Sequence, residues 1–370
     1  MKHILVIFGT RPEAIKMAPV VHALKKQKNI RTAVCVTAQH RQMLDQVLDF
    51  FEIVPEYDLN LMTANQTLTS LSSTMLLAMK EVLDDFKPDW VLVHGDTTTS
   101  FIASLAAFYA GARVCHVEAG LRTYNKTAPF PEEINRQLTA RIADVHFAPT
   151  VKAKSNLVAE NIPPETVLVT GNTVIDALFL GLQKIDHATD LNIEKLKTSI
   201  PTDKPFILVT GHRRENFGDK FNQICLALKD IAQTGKANIV YPVHLNPKVQ
   251  DPVQSILGGQ PNVYLVEPQP YPTFIWLLRA CYLAITDSGG VQEEAPSLGK
   301  PVLVLREVTE RPEAVEAGTV IIVGTDRQQI VRQTMQLLDD KNMYDQMSRA
   351  HNPYGDGNAS ARIVEYLNAL

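Results

Sequence analysis

Twelve short apolar runs, each four to six residues long, punctuate this chain, and stretches with helical periodicity separate them. In the first half they are His3–Phe8, Thr32–Thr37, Trp90–His94, Arg113–Val117, Val145–Ala148 and Val167–Thr170. In the second half they are Phe206–Thr210, Asn238–Val243, Asn262–Val266, Tyr282–Thr286, Pro301–Leu305 and Thr319–Val323. Nearly all are continuous and rich in Val, Ile and Leu. Strands buried on both faces of a parallel sheet read this way. Strands alternating with helices make βαβ units, and βαβ units make doubly wound α/β folds.

Six runs and six runs on 370 residues predict two domains. Between the sets, Leu178 to Pro205 is polar, lacks a strand run and ends in Pro201 and Pro205. The expected division is a Rossmann-like domain over 1–177, a linker region over 178–205, a second Rossmann-like domain over 206–352, and a C-terminal helix over 353–370 that packs back on the first domain. The halves share no convincing sequence repeat. Two facing domains of this kind make a deep cleft. Ligands in such sheets bind beyond the carboxyl ends of the strands, so the residues after each run are the candidates.

Other classes are disfavoured. The net charge of −4 gives no electrostatic reason to expect nucleic acid. No apolar run approaches the roughly 18 residues that span a bilayer, and the start is interrupted too soon for a secretory signal. Cys35, Cys115, Cys225 and Cys281 are scattered without a CxxC pair, which suits buried free thiols in a reducing cytoplasm. A cytoplasmic enzyme is the expectation. No metal-ligand spacing such as HExxH, no GxSxG elbow, no GxGxxG and no GxxxxGK[ST] is present.

After the first run comes Gly9-Thr10-Arg11-Pro12-Glu13-Ala14-Ile15-Lys16. Gly9 permits a tight turn, and Pro12 fits the first turn of a helix whose N-terminus offers donors to an anion. Arg11 and Lys16 add positive charge. Asp96 follows the third run and Glu118 the fourth, while Glu132 and Glu133 open a helix after two prolines. Each acid alone could be a cap or first-turn charge. Clustered on one rim they raise one another's pKa and suit proton transfer near neutral pH.

The second half carries different chemistry. Its first strand ends in Gly211-His212-Arg213-Arg214, a proton donor with two cations in a βα loop. The next loop holds His244. Thr286-Asp287-Ser288-Gly289-Gly290-Val291-Gln292-Glu293-Glu294 reads as strand, small-residue turn and helix, a nest of N–H donors for a phosphate. Glu294, about one and a half turns along, could accept from two ribose hydroxyls. Arg306 and Arg311, with Glu307, Glu310 and Glu313, fall in a further strand-end loop.

Taken in order, Gly9-Thr10-Arg11-Pro12-Glu13, His94-Gly95-Asp96-Thr97-Thr98, His116-Val117-Glu118-Ala119-Gly120-Leu121-Arg122, Pro131-Glu132-Glu133-Ile134-Asn135-Arg136, Gly211-His212-Arg213-Arg214-Glu215-Asn216 and Asp287-Ser288-Gly289-Gly290-Val291-Gln292-Glu293-Glu294 closely resemble the bacterial non-hydrolysing UDP-N-acetylglucosamine 2-epimerases. The likeness runs from Phe8 to at least Pro312. It implies the GT-B architecture of two Rossmann-like domains and interconversion of UDP-GlcNAc and UDP-ManNAc, with UDP eliminated to leave 2-acetamidoglucal and then added back. It implies no redox cofactor and no catalytic metal.

By matching motif, the resemblance makes Asp96, Glu118 and Glu132 the acid/base carboxylates, assisted by His212. It makes Arg11 and Lys16 ligands of the nucleotide sugar, and Ser288, Gly289, Gly290 and Glu294 the diphosphate and ribose site. Gln269 and Phe274 fall where the family contacts uracil, and Arg311 where it contacts phosphate. Gln39, Gln42, Arg213 and His244 fall in segments that match a second, activating UDP-GlcNAc site of some members. A homodimer is implied, with neither nucleic acid nor membrane as partner. The rival readings are a hydrolysing 2-epimerase that releases UDP and ManNAc, a GT-B glycosyltransferase, and a nucleotide-sugar sensor without catalysis.

Overall fold

The computed structural model describes residues 1–37, 41–62, 66–201, 203–309 and 311–370. Gln39 and Glu310, both named above, lie outside the described residues. The chain divides into two compact units, one of Met1–Leu180 with Tyr354–Leu370 and one of Gly181–Pro353. Each is built on one all-parallel sheet.

The first unit contains β1 (Lys2–Phe8), β2 (Ile30–Val36), β3 (Tyr57–Asp58), β4 (Trp90–His94), β5 (Arg113–Val117), β6 (Val145–Ala148) and β7 (Val167–Val169). Their order across the sheet is β3-β2-β1-β4-β5-β6-β7. The sequence predicted six strands, and the sheet has seven. The extra one, β3, pairs only Tyr57 and Asp58 with Cys35 and Val36. Two residues at a sheet edge carry too little hydropathy pattern to be read.

The second unit contains β8 (Phe206–Thr210), β9 (Asn238–Pro242), β10 (Val263–Val266), β11 (Leu283–Thr286), β12 (Val302–Val304) and β13 (Val320–Ile322). Their order is β10-β9-β8-β11-β12-β13. Both sheets are doubly wound Rossmann-like sheets, as the run pattern predicted. In each, the chain winds one way from the first strand and then resumes on its other side. The order therefore reverses between β1 and β4, and between β8 and β11. Those are the switch points at which loops splay apart and leave room for a ligand. Gly9 and Asp96 follow β1 and β4, and Gly211 and Asp287 follow β8 and β11. Topology alone thus gathers the four richest motifs at two places.

Cores lie on the sheet faces. In the first unit Leu5, Ile7, Met75, Met79, Val91 and Val93 are buried together. In the second, Val209, Phe221, Ile224, Leu228, Tyr241 and Ile285 are. Each such side chain stabilises its unit by roughly 1.5–3 kcal/mol. Tyr241 also carries a hydroxyl, which donates to the Gly211 carbonyl at 2.9 Å and so ties the core to the loop after β8.

The segment 178–205 holds the end of the helix Thr173–His187 and the helix Leu191–Ser199. The C-terminal helix Ala359–Ala369 packs on the helix Arg11–Lys25 within the first unit. Asp176 accepts from the N–H groups of Ala359 and Ser360 at 3.2 and 2.7 Å, which caps that helix. Among the described residues no helix is long and apolar enough to cross a membrane.

Candidate active site

Gly9 ends β1 where the chain passes very close to its neighbours. A β-carbon there would stand 2.1 Å from Thr37 Oγ1 and 2.5 Å from Thr99 Oγ1. Thr10 then caps the helix Arg11–Lys25, in a capping box with Glu13. Glu13 does more than cap. Its Oε2 accepts from the N–H groups of Gly9 and Thr10 at 3.0 and 2.8 Å, and its Oε1 accepts from the hydroxyls of Thr97 and Ser100 at 2.6 and 3.1 Å. This buried carboxylate straps the loop after β1 to the loop after β4. Arg11 opens the helix, and Lys16 lies about one turn beyond Glu13.

Lys16 reaches Glu118. Its Nζ donates to both carboxylate oxygens, at 2.8 and 2.6 Å. His94, the last residue of β4, brings Nε2 to 2.8 Å from Glu118 Oε2, and Asn172 Nδ2 donates to Oε1 at 3.4 Å. The Glu118 side chain is only 5% exposed. Burial alone raises a carboxylic acid's pKa, but Lys16 and then His94 overturn that and hold Glu118 well below the usual range. Its backbone sits at φ 61°, a strained left-handed conformation for a non-glycine residue. Two residues on, Gly120 at φ 93° is forced by contact, because a β-carbon would meet the Ala153 carbonyl oxygen at 2.2 Å.

Asp96 stands in the loop after β4. Arg136 donates to its Oδ2 at 2.5 Å, and Asn135 Nδ2 donates to its backbone carbonyl at 3.0 Å. Both partners come from the helix Glu132–Ile142. Burial raises the Asp96 pKa; Arg136 opposes, while Glu118 and Glu132 add to the rise as like charges. Glu132 begins the helix, half-buried, and its charge is felt at Asp96. Its neighbour Glu133 has a different task. It is fully buried, accepts from Thr123 N and Tyr124 N at 3.0 Å each and from Gln137 Nε2 at 2.8 Å, and so binds the preceding loop to the helix.

His116 supports the same turn from below. It is fully buried, and its Nε2–H donates to the Gly95 carbonyl at 2.6 Å. Burial lowers its pKa to about 3, and that of His146, its register partner on β6, to about 4.

In the second unit, Asp287 follows β11 and faces the loop after β8. Its Oδ2 accepts from His212 N at 2.9 Å and Arg213 N at 2.8 Å. The His212 ring stacks on His244 with centroids 5.0 Å apart and planes 10° apart. Burial lowers the His212 pKa, against the pull of Asp287. Ser288 precedes the helix Gly289–Ser297 without spending its hydroxyl on a cap, so the first-turn N–H groups keep no side-chain cap. Arg311 lies flat against this turn. A β-carbon on Gly289 would stand 2.6 Å from its Nη1, and its Nε donates to Glu293 Oε1 at 2.6 Å. Glu294 Oε2 would be 3.6 Å from a β-carbon on Gly290, so the Glu294 carboxylate lies over the same turn.

The sequence-predicted residues therefore fall into two groups. Arg11, Lys16, Asp96, Glu118 and Glu132 gather at the carboxyl ends of β1, β4 and β5. His212, Arg213, Ser288, Gly289, Gly290, Glu294 and Arg311 gather at those of β8 and β11, with His244 beyond β9. Gln269 sits beyond β10 with its Nε2 on the Glu267 carbonyl at 2.5 Å, and Phe274 is half-buried in the helix Tyr271–Ala280. Gln42 is exposed on the helix Arg41–Phe50. Sequence reasoning assigned no role to Glu13, His94, Arg136, Asn172, Asp287 or Glu293. Their signal was present, since five of the six lie inside the motifs quoted, but nothing in a motif says which member grips which. Among the described residues no group of three or more His, Cys, Asp or Glu is placed to hold a metal ion.

Comparison with known proteins places the whole chain in one family. A family described as UDP-N-acetylglucosamine 2-epimerase matches residues 22–368. The UDP-N-acetylglucosamine 2-epimerase of Salmonella typhimurium strain LT2 is 57% identical over 370 residues, covering 99% of this chain and 98% of its own. That of Escherichia coli K12 is 57% identical over 368 residues, covering 98% of each. Among solved structures, the Neisseria meningitidis UDP-GlcNAc 2-epimerase bound to UDP-GlcNAc superposes with a TM-score of 0.92 at 52% identity over all of both chains. The Methanocaldococcus jannaschii enzyme in complex with UDP-GlcNAc and UDP gives 0.81 at 34% identity, again over all of both chains.

Proposed function

This chain belongs to the UDP-N-acetylglucosamine 2-epimerase family, and we propose on that premise that it interconverts UDP-GlcNAc and UDP-ManNAc without hydrolysing either. The observation that carries the reading is the group of acids Asp96, Glu118 and Glu132 on one rim, with burial raising Asp96 and Lys16 and His94 holding Glu118 low. A nucleotide-binding protein or an ordinary glycosyltransferase has no use for three such acids.

The C2 proton of the sugar is weakly acidic, so its base must be ionised, close and desolvated. Glu118 meets the first of these conditions, because Lys16 and His94 keep it charged although it is buried, while the same partners lower its basicity. Asp96, whose proton is held more tightly by burial, suits the acid that returns a proton to the other face. Glu132 stands beside it as the third member. As the proton leaves C2, its electron pair becomes the C1–C2 double bond. The C1–O bond breaks with its electrons on the diphosphate, giving 2-acetamidoglucal and UDP. Re-addition runs the same steps backward after reprotonation. Arg11 and Lys16 belong to the sugar-nucleotide side of this rim.

UDP is assigned to the turn at Ser288, Gly289 and Gly290. Uncapped N–H groups and the adjacent Arg311 there favour a diphosphate, and Glu294 favours ribose hydroxyls. Gln269 and Phe274 are the uracil contacts, and His212 is the proton donor to the leaving group. A second, activating UDP-GlcNAc site is assigned to Gln42, Arg213 and His244, together with Gln39. The four buried free cysteines support a cytoplasmic place. A homodimer is supported by large apolar side chains exposed on neighbouring helices, Leu77 at 71%, Phe108 at 63% and Tyr109 at 69%. Light scattering that finds a monomer at micromolar concentration rejects that contact.

Proton NMR of UDP-GlcNAc with the enzyme in heavy water tests the central claim. The expected record is UDP-ManNAc at equilibrium with deuterium at C2. Free ManNAc and UDP accumulating instead mean a hydrolysing enzyme, and binding without exchange at C2 means a sensor.

A further inference from the structure

Asp287 is fully buried, and its two oxygens are treated very differently. Oδ2 accepts from His212 N at 2.9 Å, Arg213 N at 2.8 Å and Asn216 Nδ2 at 3.4 Å. Oδ1 has no hydrogen-bond partner and stands 3.9 Å from Nδ1 of His212. A buried carboxylate oxygen without a partner is costly, and such an orphan in a native fold calls for an explanation. The backbone explains how the pair arises. Thr210 and Thr286 are register partners on β8 and β11, so Asp287 and Gly211 leave the sheet side by side at the switch point. Three donors on Oδ2 fix the carboxylate plane, and the stack on His244 limits how the His212 ring can turn.

We propose that Asp287 is the positioning residue for His212: its free oxygen accepts a hydrogen bond from Nδ1–H and leaves Nε2 as the ring nitrogen that faces the departing diphosphate. The proposal rests on the reading of His212 as proton donor given above. The gap of 3.9 Å exceeds a hydrogen bond, and in unliganded sites such bonds commonly tighten only once substrate is bound. In the elimination, imidazolium Nε2 gives its proton to the diphosphate oxygen as the C1–O electron pair settles there. The ring becomes neutral and keeps Nδ1–H on Asp287. Re-addition of UDP returns the proton to Nε2. The groups that face His212 are Asp287, His244 and Arg213. Burial, His244 and Arg213 all disfavour the charged ring, and Asp287 is the one group that opposes them.

The variant Asp287→Asn separates the possibilities. Its amide oxygen can still accept from the two backbone N–H groups, which turns the NH2 toward Nδ1 and makes that nitrogen an acceptor. The expected result is a fall in kcat on the order of a hundredfold, a UDP dissociation constant within about threefold of the native value, and a His212 ring that titrates at lower pH by NMR. In a His212→Asn background the same change should have little further effect on kcat. An unshifted His212 titration, or the full loss of kcat repeated in that background, overturns the proposal. Full activity of His212→Asn alone instead removes the reading of His212, and the titration still judges the pairing. Should the Asn variant not fold, nitrogen-15 shifts of the native enzyme decide, since a neutral His212 ring protonated at Nε2 contradicts the assignment.

Discussion

Lys16 places its ammonium 2.8 and 2.6 Å from the two carboxylate oxygens of Glu118, 102 residues further along the chain. Lys16 stands on a helix fixed at its start by the Glu13 strap, and Glu118 stands at a strand end in a strained backbone. The pair is therefore set by the architecture of the first sheet and not by side-chain search.

Replacing Lys16 with Met should leave Glu118 buried and short of one cation. Breaking such a pair costs on the order of 3 kcal/mol. The Glu118 pKa lies below its unfolded value of about 4.3. Its contribution to stability is thus present above that pH and lost as pH falls toward the folded value. In the variant the folded pKa rises, so the loss begins at higher pH and the acid limb of kcat/KM moves up. Urea titrations between pH 4 and 7, with matching rate profiles, check both; an unmoved limb would separate Lys16 from Glu118 chemistry.

Asp96→Asn should abolish turnover, by at least a hundredfold, while UDP binding survives, because the nucleotide is assigned to other loops. The change removes a carboxylate whose pKa burial raises, and Arg136 retains Glu133 as a partner 3.3 Å away. Thermal stability should therefore move little. Near-normal activity would take Asp96 out of the mechanism.

Gly289→Ala should displace the Arg311 guanidinium, since the added carbon falls 2.6–2.9 Å from three of its atoms. Arg311 is also held by Glu293, so it cannot swing aside freely. The fold should persist and UDP affinity should fall about tenfold, near 1.4 kcal/mol. Calorimetric titration with UDP reads this directly, and an unchanged affinity would place the diphosphate elsewhere.

Glu294→Ala should weaken UDP by roughly 1.5–3 kcal/mol through lost charge-assisted hydrogen bonds to ribose. Deoxyribose UDP analogues should then bind native and variant enzymes alike. If the variant keeps the native preference for ribose, another residue reads those hydroxyls.

His116 and His146 should make the enzyme acid-labile. Both fold as neutral rings with pKa values of about 3 and 4, well below the unfolded value of about 6.5. The unfolded chain therefore binds more protons, and stability is full above pH 6.5 and falls as pH drops toward 4. His116→Gln keeps a donor toward the Gly95 carbonyl and removes one titrating ring. Its stability should depend less steeply on pH in that window, as measured by denaturant unfolding; an equal slope would mean that His116 does not titrate there.

Most strands were legible because continuous Val, Ile and Leu runs have no other good place than a two-sided parallel sheet. The edge strand Tyr57–Asp58 was not, since two residues show no period. The loops were legible too, because Gly9, Gly211 and Asp287 stand directly after strand runs and Asp96 one residue beyond. Partnerships were not. Glu13 reads only as a member of the first motif, yet it accepts from the hydroxyls of Thr97 and Ser100. Asp287 reads as a member of a phosphate turn, yet its carboxylate is spent on the loop of His212.

The sequence by itself determined the two Rossmann-like sheets, the strand ends where charged motifs stand and, through those motifs, the family. Hydropathy period and strand-end position are local properties, so one dimension holds them. The tertiary structure alone decided the charge states that the acids favour. Glu118 is kept ionised by Lys16 and His94, while burial raises Asp96. A pKa depends on depth and on neighbours a few ångströms away, and strand order brought those neighbours from distant parts of the chain.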